Sequence, residues 1–204
     1  IYDIDKQKLK NIYKSYNKLN QLVDLYDEIT REIKLKNDLL TDMNYLVLHT
    51  SDLCNMKCKY CYAEDNLFNC SANKMSSKTM IDAINKFYKG KDFFVLFHGR
   101  EPLTNIENIL ETVKNFNNNK KIHFILQTNG MLLNEDIIKT LHQSGVKINV
   151  SFDGFDDESN QLRINNTTNN YTQKITNLLR TYNNISPILI LHKNNIDKIF
   201  SENY

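Results

Sequence analysis

The 204-residue sequence predicts an α/β fold in which five parallel strands are joined and covered by helices, behind an N-terminal helical extension. Three observations carry this expectation. Short apolar runs recur after position 44, stretches with three-and-four apolar spacing separate them, and the first 43 residues hold the helical pattern alone. The strands are expected at YLVLHT (45–50), FFVLFH (93–98), IHFILQ (122–127), VKINVSF (146–152) and PILILH (187–192). Helices are expected around 76–89, 105–117, 134–143 and 170–182. The alternation fits a sheet that is either barrel-like or doubly wound, and it divides the chain into an extension over 1–43 and a core over 44–204.

In the extension, Leu9, Ile12, Tyr13, Tyr16, Leu19, Leu22, Val23, Tyr26, Ile29 and Ile33 fall on one helical stripe, with lysines and acids opposite. A helix packed on the main body explains that pattern, and the segment is too short for a full winged-helix recognition domain. In the core, Ser76 and Ser77 precede Met80 and Ile81, and Asn134 precedes Ile137 and Ile138. Their side-chain oxygens can accept the orphan backbone N–H groups of a first helical turn, so they are the expected N-caps.

With 26 basic and 24 acidic residues the formal net charge is +2, which gives no electrostatic reason to expect nucleic acid or an anionic membrane as partner. No run of about 18 apolar residues occurs, and the N-terminus IYDIDKQKLK lacks a basic patch followed by an apolar stretch, so the expectation is a cytoplasmic chain with no membrane span. In a reducing compartment the four cysteines, all between positions 54 and 70, point to metal binding or catalysis more than to disulfides.

In parallel sheets with helical crossovers the chemistry sits on the loops beyond the carboxyl ends of the strands. These loops read SDLCNMKCKYCYA, GREPLTN, TNGMLLN and DGFDDESNQLR after the first four strands. In the first, Cys54, Cys58 and Cys61 stand four and three residues apart, close enough to reach one small cluster. Three thiolates on a cubane of four irons leave one iron without a protein ligand, the arrangement a cluster needs to bind a small molecule. A zinc site completed by Cys70 is the alternative from ligand chemistry, although its spacing departs from paired Cys-x2-Cys knuckles.

The motif CxxxCxΦC, with aromatic Tyr60 before its third cysteine and directly after a first strand, resembles the defining motif of the radical SAM superfamily. HGREPL (98–103) resembles that family's GGEP motif, QTNG (127–130) its third-strand motif and SFDG (151–154) its fourth-strand motif. Together they cover residues 45 to about 192 in the family's order. The resemblance implies a partial (β/α) barrel in which Cys54, Cys58 and Cys61 hold a [4Fe–4S] cluster and S-adenosylmethionine chelates the open iron. It implies cofactor-binding roles for Tyr60 near the adenine, for Gly99 and Asn129 in their motifs, and for Glu101 as acceptor from the methionyl ammonium. Ser151 would contact the cofactor and Arg163 would pair with its carboxylate.

The chemistry so implied is one-electron reductive cleavage of S-adenosylmethionine, giving methionine and a 5′-deoxyadenosyl radical that abstracts hydrogen from substrate. An external flavodoxin- or ferredoxin-like reductant would supply the electron. The wording of the motifs looks most like the branch that modifies peptides and proteins, including anaerobic sulfatase-maturating enzymes and ribosomal peptide maturases, so a peptide or protein substrate is expected. That branch commonly adds a Cys-rich domain with auxiliary clusters; here no cysteine follows Cys70 and no sixth strand follows the fifth. An incomplete barrel is therefore expected, with a non-catalytic cluster-binding scaffold as the alternative to an enzyme. Arg100 occupies the second glycine of GGEP, where a side chain forced to positive φ would cost roughly 1 kcal/mol or more. Asp153 is expected near the site in a structural or cofactor-orienting role, His49 and His98 as packed histidines at the rim, and Cys70 as a free thiol; no substrate-side catalytic residue is assigned.

Overall fold

The computed structural model describes residues 43–61, 73–164 and 170–199. The expected helices of 1–42 and the thiol of Cys70 lie outside the described residues. Five strands, β1 (Tyr45–His49), β2 (Phe93–His98), β3 (Ile122–Thr128), β4 (Lys147–Ser151) and β5 (Ile185–Ile188), form one sheet in sequence order. Every neighbouring pair is parallel. Helices α1 (Ser77–Phe87), α2 (Ile106–Asn115), α3 (Glu135–Gln143) and α4 (Tyr171–Thr181) make the four crossovers, and a short α5 (Ile196–Ile199) follows β5.

The helices start where the caps were expected. Ser76 accepts from the Thr79 amide at 3.1 Å and Asn134 from the Ile137 amide at 2.8 Å. From there the three-and-four spacing buries Met80 and Ile84 on α1, Ile109 and Val113 on α2, and Ile138 and Leu141 on α3. These side chains meet one face of the sheet, built from Phe93, Val95 and Phe97 on β2, Phe124 and Leu126 on β3, and Ile148 and Val150 on β4, all buried. The opposite face carries Tyr45, Val47, His98, Gln127, Asn149 and Ser151, which are partly or fully exposed. A parallel sheet covered on both faces would be apolar on both; the second face here is that of a partial barrel interior.

The fifth strand differs from expectation. It spans Ile185–Ile188, whereas the apolar run suggested 187–192. Pairing with β4 runs from Ile148↔Ile185 to Ser151↔Ile188, and Leu189, Ile190 and Leu191 leave the ladder and stay roughly half exposed. The cause is tertiary: the Ile190 amide donates to the Asp153 carboxylate at 3.0 Å, and Asn195 Nδ2 donates to Ile190 O at 2.9 Å. A side-chain acceptor and a side-chain donor thus replace the strand ladder.

Candidate cluster and cofactor site

The cysteine loop leaves β1 still fastened to β2. Thr50 donates to His98 O from its amide at 2.7 Å, and farther on Arg100 N donates to Ser51 O at 3.0 Å and Glu101 N to Leu53 O at 2.9 Å. Asn105, at the end of a 3₁₀ turn over Pro102–Asn105, ties Thr50 O and Met75 O together through its amide. Two loops laid so closely leave no room for a side chain at Gly99, where φ is +136° and a Cβ would stand 2.8 Å from Ser51 O. Arg100 needs no such freedom. Among the described residues no non-glycine has positive φ, so the strain expected at Arg100 does not arise and the unusual backbone falls on Gly99.

Cys54, Cys58 and Cys61 are free thiols that line one cavity of about 160 Å³ at the carboxyl ends of the strands. Met56 N and Asn129 Nδ2 donate to Cys54 Sγ at 3.4 and 3.7 Å, and Cys61 N closes a turn onto Cys58 O at 3.0 Å. Burial pushes the Cys58 thiol up to about 11, with Arg163 acting in the opposite sense. A metal that took up this thiol would have to displace its proton, so any such binding would be coupled to deprotonation. No three His, Cys, Asp or Glu groups among the described residues gather around a point that a single metal ion could occupy. Three thiols lining one cavity are the soft donors that an iron–sulfur cluster takes.

Tyr60, Gly99, Asn129, Ser151 and Arg163 line the same cavity as the three cysteines. Glu101 does not line it. Its side chain is completely buried and accepts from Leu103 N at 2.9 Å, Thr128 Oγ1 at 2.7 Å and Asn129 N at 2.8 Å, so it fixes the TNG turn against the second-strand loop. Burial pushes its carboxyl above the usual range against those three donors. The turn itself requires Gly130, where φ is +79° and a Cβ would meet Ile175 Cδ1 at 2.6 Å and Val150 Cγ1 at 2.9 Å.

Arg163 is already paired. Its Nε and Nη2 meet the two oxygens of the fully buried Asp153 at 2.7 and 2.9 Å, a bidentate ion pair. Tyr60 Oη donates to the same carboxylate at 2.5 Å, and the guanidinium lies 5.2 Å from the Tyr60 ring centroid. Lys59 N donates to Leu162 O at 2.7 Å, so the segment between the second and third cysteines is fastened to the loop after β4. Burial disfavours the charged form of Arg163, but the Asp153 contact outweighs it and raises its pKa; burial likewise pushes the Tyr60 phenol upward. Sequence reading weighed Asp153 only as a neighbour and missed Met56, Gln127, Thr128 and Ile190 in the lining. The QTNG motif holds the signal for Gln127 and Thr128; nothing local marks Ile190.

A larger cavity of about 520 Å³ lies elsewhere, lined by residues such as Phe116, Asn117 and Thr140. It carries no cysteine, histidine or acid, so the chemistry selects the smaller one.

The chain belongs to the Radical SAM superfamily, whose family model matches residues 48–201. The superfamily uses a [4Fe–4S] cluster and S-adenosylmethionine, and the three-cysteine donor set around one cavity fits that cluster. Among curated relatives, the chain is 26% identical over 214 residues to the radical SAM cyclopropyl synthase TigE of Paramaledivibacter caminithermalis, covering 96% of this chain and 42% of that one. It is 32% identical over 122 residues to GTP 3′,8-cyclase of Clostridium perfringens, covering 58% and 37%. Among solved structures, anSMEcpe with bound AdoMet superimposes with a TM-score of 0.60 at 23% identity over 76% of this chain and 45% of that one. Streptococcus suis SuiB bound to S-adenosylmethionine gives 0.57 at 16% over 95% and 47%. These two establish the partial-barrel fold, and the chain spans less than half the length of each of the four proteins. No helix among the described residues is long and apolar enough to cross a membrane.

Proposed function

We propose that this chain is the cluster-bearing part of a cytoplasmic enzyme that cleaves S-adenosylmethionine reductively and uses the resulting radical chemistry to modify a peptide or protein. Residues 44–204 are then its catalytic core, and residues 1–43 an extension before that core. The observation that carries the reading is the convergence of Cys54, Cys58 and Cys61 on one cavity with the second-, third- and fourth-strand motifs around it. When bound, the [4Fe–4S] cluster supplies the single electron that cleaves the cofactor, and a flavodoxin- or ferredoxin-like protein replenishes it.

The protein's own residues hold and orient. Cys54, Cys58 and Cys61 would hold the cluster through their thiolates. Gly99 lets the second-strand loop approach the cysteine loop, and Glu101 sets the Asn129 turn that faces Cys54. Tyr60, Ser151 and Arg163 line the same cavity, where they would contact the cofactor. An anSMEcpe structure with AdoMet and the Cp18Cys peptide, at TM-score 0.59 and 24% identity, supports a peptide substrate for this fold. The cyclase relatives make GTP the substrate to compare.

Anaerobic reconstitution with iron and sulfide is expected to load about four irons per chain, and Cys→Ala at position 54, 58 or 61 to abolish loading. Reduction with dithionite in the presence of S-adenosylmethionine then yields 5′-deoxyadenosine and methionine. A fully loaded protein that forms neither product overturns the reading, and product formation stimulated by GTP but by no peptide overturns the substrate class.

A further inference from the structure

The cavity that holds the three cysteines is lined by two permanently charged cations and no acid. Arg163 is neutralised in place by Asp153 through two hydrogen bonds. Arg100 is not. No carboxylate among the described residues stands within ion-pair distance of it, and its Nε is excluded from solvent without a hydrogen-bond acceptor. Among the described residues its one side-chain hydrogen bond is from Nη1 to Asp52 O at 3.5 Å, the outer limit of such a bond. The remaining basic group of the lining, His98, has its pKa lowered by partial burial and by its neighbour His49.

A guanidinium in this state is short of partners. It has five donors in a planar fork that matches a carboxylate, and leaving a buried donor unmet costs free energy that an acceptor returns. Arg100 also stands where the GGEP pattern has its second glycine, so its side chain and positive charge are additions to that pattern. Its backbone shows no strain, and the substitution therefore costs the turn nothing while adding a charge to the cavity wall.

We infer that Arg100 is the carboxylate receptor of this cavity, pairing with an acidic group of whatever molecule enters it. Two sources share that chemistry: the methionyl carboxylate of S-adenosylmethionine, or an acidic side chain of the peptide substrate. The inference rests on the functional reading above for its ligands.

The test compares wild-type, Arg100→Gln and Arg100→Lys proteins, reconstituted anaerobically and matched for iron content and circular dichroism, by calorimetric binding. The probes are S-adenosylmethionine, decarboxylated S-adenosylmethionine, and N-acetyl-glutamate amide with its glutamine counterpart. If the cofactor is the source, Arg100→Gln weakens S-adenosylmethionine about tenfold and leaves the decarboxylated form unchanged, with Arg100→Lys recovering part of the loss. If the substrate is the source, cofactor affinity is unchanged while the wild type prefers the blocked glutamate over the blocked glutamine about tenfold, and Arg100→Gln erases that preference. If Arg100→Gln alters neither, the inference is wrong. A wild type that binds no cofactor at all rejects the functional reading instead, and the blocked-glutamate comparison then decides the role of Arg100 alone.

Discussion

Two carboxylates on the same rim of the sheet are completely buried, and the protein holds them by different means. Glu101, after β2, is met by neutral donors only: two backbone amides and the Thr128 hydroxyl. Asp153, after β4, is met by a guanidinium, a phenol and the Ile190 amide. The first joins two neighbouring loops, and its partners are fixed by backbone that is already in place. The second gathers three separate segments, the cysteine loop through Tyr60, the Gln161–Ile164 stretch through Arg163 and the chain after β5 through Ile190. A carboxylate among neutral donors stiffens one turn, whereas a carboxylate at the centre of an ion pair organises distant pieces of chain, and its removal strands a second charge.

The largest effect therefore falls on the β4 side. Asp153→Ala leaves Arg163 buried and unpaired, a loss of about 3–5 kcal/mol in unfolding free energy measured by urea denaturation. Removing both partners together, Asp153→Asn with Arg163→Gln, should recover part of that loss, because no charge is then stranded. A double variant as unstable as Asp153→Ala would break the comparison, since the network would then act through packing and not charge.

Glu101→Gln tests the other side at nearly constant shape. The amide keeps one acceptor oxygen, but its NH₂ must face either Asn129 N or the Leu103 and Thr128 donors, so at least one buried donor loses its acceptor. The expected cost is about 1–3 kcal/mol by the same denaturation measurement, with no stranded cation to add to it. A loss equal to that of Asp153→Ala would mean that the neutral-donor site is as organising as the ion pair.

The difference between the two sites also separates what could be read in advance. Ser76 and Asn134 capped their helices as expected, because a cap is a contact between residues three apart in sequence. The cysteine spacing and the QTNG and SFDG motifs pointed to one rim for the same reason. Glu101 was legible as a motif residue, but its partners Thr128 and Asn129 lie 27 and 28 positions away, and only the sheet register brings them to its carboxylate. The early end of β5 was illegible: Leu189–Leu191 reads as strand, and only Asp153, 37 positions away, explains why Ile190 leaves it. At Arg100 the local rule pointed the wrong way, because the positive φ sits one residue earlier, at Gly99.

The cavity wall also holds a half-buried titratable group, His98, and it follows neither pattern. Burial, reinforced by His49, lowers its pKa below the free-imidazole value, so the folded protein binds its proton less readily than the unfolded chain does. The unfolded state then carries more protons as pH falls through about 6.5, and stability must decline in that direction. His98→Gln removes this contribution without adding charge. Urea midpoints followed from pH 7.5 down to 5.5 should fall more steeply for the wild type than for His98→Gln, by less than either carboxylate effect. Parallel slopes would show that His98 accepts its proton in the folded protein as freely as in water.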